Sequence, residues 1–224
     1  MKRFSLSLVA IAMVVLVSSV NGRTRANGKL DEILANMQKM ASTITTIQAH
    51  FDQLSRDPQI GGTEKYSGEV FFKHSGKNND KIRINYTVPK GQTVWVVGET
   101  ITLCQDEIHQ CIVTSRSKAA SRGDDFAFIA TPYTSIPELK RQYNIEYVGD
   151  EEGMAKLNLT PKGKSSINKL TWWVDQSSWM PMKSTVVEAT GKPTTFTLSN
   201  VQKNKGISDA TFKLDTKGAK IVQR

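Results

Sequence analysis

Three histidines, two cysteines and a few adjacent acids are the residues of this chain with chemistry to offer. Cys104 and Cys111 stand in LCQDEIHQC, each in a short apolar run with Asp106-Glu107 between them. That spacing reads as a hairpin with the two thiols on facing strands. In an exported chain an even cysteine count usually means oxidation to a disulfide; two free thiols are the alternative. His109 lies between the cysteines, so a metal site is a third reading. Such a site asks for four ligands, and His50 and His74 are distant in sequence. No metal is expected. The acidic pairs Asp124-Asp125 and Glu151-Glu152 read as cap and turn residues. The chain holds no His-Glu-x-x-His, no Gly-x-Ser-x-Gly, no phosphate-cradling glycine loop and no Cys-x-x-Cys. The expectation is a protein that is not an enzyme and needs no cofactor, so function must rest on binding.

The elements that would build a binding site begin after a leader. Met1-Lys2-Arg3 is a short basic start, Phe4 to Val17 is mostly apolar, and Val20-Asn21-Gly22 offers a cleavage site. Residues 1–22 thus read as a secretory signal, too short for a stable membrane span. Residues 23–224 read as one domain. No cysteine follows the apolar run, so the leader offers no lipid attachment. These features predict a protein released into the periplasm of a Gram-negative envelope. The formal net charge is +9, which suits acidic partners or anionic surfaces, although a solvated basic surface accounts for it equally. Export, and the lack of a clustered Lys/Arg stripe, argue against nucleic acid.

Periodicity then names the elements. Leu30, Ile33, Leu34, Met37 and Met40 recur at three and four positions, one face of a helix from about Lys29 to Ser42. Asp31 and Glu32 would sit in its first turn. From Ile47 on the period changes to two. Ile47, Ala49 and Phe51 share a face, then Tyr66, Gly68, Val70 and Phe72, then Ile82, Ile84, Tyr86 and Val88. Further alternating runs follow, separated by turn residues, with the longest stretch from Leu157 to Val201. Asp124 to Ala130 and Ile136 to Lys140 read as short helices between them, the second with Pro137 in its first turn. Ser208-Asp209-Ala210 reads as a turn into one last strand. An antiparallel sheet this long must curl. The fold class is α+β: an open, strongly curved antiparallel sheet of about eleven strands, a half-barrel covered by an N-terminal helix and short lid helices.

The order of these segments resembles the LolA-type periplasmic carriers of outer-membrane lipoproteins. The resemblance rests on the amphipathic helix, IQAHFDQ, YSGEVFFK, IRINYTVPKGQTVWVVGETITL, the long LNLTPKGKSSINKLTWWVDQSSWMPMKSTVVEATGKPTTFTLSNV and ISDATFKLDTKGAKIV, spanning about Leu30 to Val222. It implies an open eleven-stranded barrel with a helical lid whose hollow binds acyl chains. It also implies partners: acylated lipoproteins or other lipids as cargo, an inner-membrane exporter, an outer-membrane acceptor and passing contact with membranes, the carrier itself a monomer. The lining would come from Phe51, Val70, Phe72, Ile84, Tyr86, Val94, Val96, Ile101, Leu103, Leu157, Leu159, Leu170, Trp172, Val186 and Phe196, and the lid from Phe126, Phe128 and Ile129. The same residues could instead fill a closed core. Family members carry an Arg-Pro pair after the strand matching GEVFFK, and that arginine helps hold the lid shut. Here His74-Ser75 stands in its place, with Arg83 in the neighbourhood and expected on the outer face by alternation; His74 and Arg83 are the gating candidates. The LolB-type acceptor shares the fold but is lipidated, which the missing cysteine argues against. The remaining readings are a carrier of another amphiphile, an envelope lipid-sensing module of the same fold, or an envelope structural protein.

Overall fold

Alternation of apolar and polar side chains runs through most of twelve segments, and in the structure each is a strand. The structure, a computed structural model, describes residues 18–56, 61–76, 79–118 and 135–223, with side chains from residue 27 on. The strands are β1 (Thr46–Arg56), β2 (Thr63–Lys73), β3 (Lys81–Val88), β4 (Lys90–Val97), β5 (Thr100–Gln105), β6 (Gln110–Ser115), β7 (Tyr143–Glu151), β8 (Met154–Pro161), β9 (Ile167–Asp175), β10 (Met180–Glu188), β11 (Pro193–Lys203) and β12 (Lys220–Gln223). They form one open sheet in the order β12-β6-β5-β4-β3-β2-β1-β11-β10-β9-β8-β7. Strands that pair in space are neighbours in sequence, except at the seam where β1 meets β11 and at the edge where β12 meets β6. The sheet has one strand more than expected, and β12 lies parallel to β6 where an antiparallel sheet was expected throughout. A parallel neighbour needs a long crossover, and the segment after β11 supplies it.

The sheet curls because its ladders are interrupted. Register shifts occur in the pairings of β1 with β11, β2 with β3, β3 with β4, β7 with β8 and β9 with β10. Each extra residue bends its strand and increases the local twist. At Gly68 the reason for glycine is space: a Cβ there would stand 2.0 Å from the Asn85 carbonyl oxygen and 2.9 Å from the Phe51 ring. The β7–β8 hairpin turns at Glu152 and Gly153, both with positive φ (54° and 77°), the conformation that a two-residue hairpin loop requires. Val88, expected inside, is 54% exposed, because the chain is already leaving the sheet at the β3–β4 turn.

Helix α1 (Ser18–Thr43) lays Ile33, Leu34 and Met37 onto the sheet, all buried. Burying side chains of this size contributes about 1.5–3 kcal/mol each. The methionine at position 37 is therefore core. The helix begins well before Lys29, so Asp31 and Glu32 lie in its body rather than its first turn, and the dipole argument does not apply to them. Residues 1–17 of the expected leader lie outside the described residues. Helix α2 (Ile136–Gln142) begins as expected: Ser135 caps it by accepting from the Glu138 N–H, and Pro137 sits in its first turn. The helix expected after Asp124, with lid candidates Phe126, Phe128 and Ile129, lies outside the described residues.

Candidate functional site

Register decides which side chains share a face, and here it gathers the apolar ones into continuous rows. One row runs Thr114, Ile101, Val96, Ile82, Phe72, Ile47 from β6 to β1. The next runs Ile112, Leu103, Val94, Ile84, Val70, Ala49. A third passes Tyr86, Gly68, Phe51 and Leu198, crossing the seam into β11. A fourth continues through Tyr66, Gln53, Phe196, Ser184, Trp172, Leu157 and Tyr147. A fifth reads Ser55, Thr194, Val186, Leu170, Leu159, Ile145. Every lining residue expected from the sequence stands in these rows.

The rows divide into two packed regions. Leu157, Leu159, Leu170, Trp172, Val186 and Phe196 pack with Ile33, Leu34 and Met37 of α1 and with Leu139 of α2. Phe51, Phe72, Ile84, Val94, Val96 and Ile101 form the other region, with Val70, Tyr86 and Leu103 partly buried against it. Phe51 meets the Tyr86 ring edge-on at 5.3 Å, and Tyr86 meets Tyr66 at 6.0 Å. Burial pushes the Tyr143 phenol of β7 above its ordinary value. Charge enters at the row ends, where Glu64 stands opposite Ser55 and Lys203 opposite Ile47. The surface can therefore shed water from hydrocarbon, and the described rows offer no group poised for proton transfer or nucleophilic attack.

Polar side chains do interrupt the face, close to the seam. Ser55 and Thr194 satisfy one another at 2.6 Å. Gln53 does not find such a partner: it is 7% exposed, and its Oε1 accepts no hydrogen bond. No motif marks this residue, although the alternation Ile47, Ala49, Phe51, Gln53 assigns it to the inner face. Two open grooves are lined by described residues. One of about 650 Å³ lies between Asp31, Leu34, Ala35 and Gln38 of α1 and Ile136, Pro137 and Lys140 of α2. The other, about 430 Å³, is lined by Met154, Met180, Met182 and Val201 together with Asp175, Ser178 and Lys203. Hydrogen bonds from Ser178 and Ser177 hold the Asp175 carboxyl below the usual carboxylate range.

The gating candidates sit elsewhere. Arg83 is on the convex face, where Trp95 and Phe71 are its neighbours in register. Its guanidinium lies 5.4 Å from the Trp95 ring centre, donates from Nε to Asn85 Oδ1 at 2.8 Å and from Nη1 to the Thr211 carbonyl at 2.9 Å. Those partners tie it to the C-terminal segment. His74 is exposed at the end of β2, its Nδ1 2.7 Å from Asp80 Oδ1 and its backbone N–H donating to the Thr45 carbonyl. The segment it would have to hold lies outside the described residues.

The same convex face settles the cysteines. Cys104 and Cys111 pair in register across β5 and β6 and form a disulfide, buried with Trp95 and packed against Ala219. Over this face runs a C-terminal strap, where the sequence predicts only a turn and one strand. Asp209–Phe212 is a 3-10 turn whose Phe212 is buried. Asp209 receives both Lys73 and Lys81, at 3.0 and 3.1 Å, Lys217 reaches Asp106 at 2.8 Å, and β12 then joins β6. Among the described residues no group of three His, Cys, Asp or Glu side chains is placed to hold a metal.

Residues 42–215 match the family model described as outer membrane lipoprotein carrier protein LolA. A curated relative, the outer-membrane lipoprotein carrier protein of Dechloromonas aromatica (strain RCB), is 26% identical over 179 residues, 79% of this chain and 81% of the relative. Among solved structures, an uncharacterized conserved protein from Thermus thermophilus superposes with a TM-score of 0.56 at 14% identity, covering 88% of this chain and 99% of that one. A putative outer membrane lipoprotein-sorting protein domain from Vibrio parahaemolyticus gives 0.52 at 14% identity, with 81% and 94% covered. At these identities the two structures speak for the fold.

Proposed function

This chain belongs to the LolA family of outer-membrane lipoprotein carriers, and from that premise we propose that it shields the acyl chains of lipoproteins and ferries them between the inner and outer membranes. The observation that carries the reading is the inner face: five rows in register across the sheet, charged only at their ends and otherwise apolar apart from a few polar residues. Exposing an acyl chain to water costs about 0.8 kcal/mol per methylene, so a transferable lipoprotein needs such a cover. The work is sequestration, with no covalent step. Phe51, Phe72, Val94, Leu157, Trp172 and Phe196 are the lining residues we would place against the hydrocarbon. An inner-membrane exporter would load the carrier, and an outer-membrane acceptor would receive the cargo.

The test is native mass spectrometry of the protein released gently from its own envelope. A mass excess matching an acylated polypeptide, lost in Leu157→Glu, is the expected result. An excess matching a free lipid would replace the cargo while keeping the hollow. Absence of any bound species, together with no uptake of an added lipopeptide, would overturn the carrier reading in favour of a structural role.

A further inference from the structure

Among the described residues, Gln53 is the one fully buried polar residue of the inner rows whose carbonyl oxygen is left without a partner. Thr114, whose hydroxyl also lacks one, is half-buried at the far end of its row. The position of Gln53 is specific. In register it lies between Tyr66 and Phe196. Phe196 belongs to the region packed on α1, and Phe51, two residues earlier on the same strand, belongs to the other. Gln53 therefore marks the junction of the two apolar regions, at the seam of the sheet. Ser55 and Thr194, one row on, are already bonded to each other and do not supply its partner.

Gln53 is already buried, so its carbonyl oxygen lacks a partner in the free protein, and a hydrocarbon chain laid along this face would leave it so. A ligand with a hydrogen-bond donor at that depth would relieve the cost. A carboxamide offers an acceptor and a donor side by side, and its complement is a group offering the same two: another amide. An ester offers only acceptors and cannot satisfy the orphaned oxygen. We infer that Gln53 reads the amide linkage of an N-acylated cargo, with the acyl chain in one apolar region and the remaining lipid in the other. The inference rests on the carrier reading and deepens it: the face selects how its acyl chain is attached.

The experiment compares two fluorescent lipopeptides of identical sequence, one carrying a palmitoyl chain through an amide and the other through an ester, titrated into the wild-type protein and into Gln53→Met. Methionine keeps the length and shape and removes both hydrogen-bonding atoms. Wild type should bind the amide probe about tenfold more tightly than the ester probe, the effect of roughly one buried hydrogen bond. Gln53→Met should bring that ratio close to one while keeping the thermal midpoint of the wild type within a few degrees. Equal binding of the two probes by wild type, or a preference that survives in Gln53→Met, overturns the assignment and leaves the carrier reading standing. Failure of wild type to bind either probe overturns both. Gln53→Asn is the second variant: it retains the carboxamide one methylene short, and it should recover part of the preference if the atoms matter and none if only the shape does.

Discussion

At the scale of single residues, the structure separates positions on the inner face from positions on the convex one. Gly68 belongs to the first kind. Phe51 lies over it and the Asn85 carbonyl closes in from the side, leaving no room for a methyl group. Gly68→Ala should therefore lower stability by about 2–3 kcal/mol, in the range of overpacking a dense interior, and urea unfolding measures it. A midpoint unchanged from wild type would show that the β2–β3 bulge yields more easily than the contacts imply. Arg83 belongs to the second kind. Arg83→Ala removes a cation–π contact and a hydrogen bond to the strap, together about 1–2 kcal/mol. Lipopeptide affinity and release rate should stay as in wild type, because the guanidinium is on the other side of the sheet. A changed release rate would return it to the gating residues. The sequence could not assign Arg83 a partner, since Thr211 is 128 positions away.

At the scale of elements, the C-terminal strap has a testable electrical anchor. The Lys73 and Lys81 ammonium groups, bonded to Asp209, hold its carboxyl below the ordinary carboxylate range. A folded-state pKa that is lowered contributes stability in full above the unfolded value, about 3.9 for aspartate. That contribution is lost as pH falls through the folded value. Protection of the β12 amides against hydrogen exchange should thus be constant above about pH 4 and drop below it, and Asp209→Asn should lack the step. Elements of this chain were legible to the extent that they are periodic. Strands with one buried face, and helix α1 with its stripe, announce themselves by spacing. The strap announces only its turn and a last strand, because Asp209–Phe212 and Lys220–Gln223 are too short to carry a period that would fix its path. Its parallel pairing with β6 depends on a path across the convex face that no local pattern encodes.

At the scale of the whole molecule, the inner face was legible because register merely aligns what alternation has already sorted. The polar break at Gln53 was not, since a glutamine in phase with phenylalanine reads as an ordinary strand residue until its neighbours are known. If the face holds cargo, ligand must stabilise the fold. A lipopeptide at a hundred times its dissociation constant adds about 2.7 kcal/mol, a rise of about 5–10 °C in the thermal midpoint for a chain of this size. A flat response across a hundredfold range of lipopeptide would speak for a filled core. The seam itself sets a timetable. β1 is made early and β11 late; Ser55 and its partner Thr194 are separated by 139 residues. However fast the chain emerges, β1 keeps one edge open until those residues have followed it. Until then each half of the greasy sheet is a separate meander. A protein that keeps other molecules' hydrocarbon from water must first spend that interval with its own exposed, and a holdase that meets the growing chain would do so at the free edge of β1.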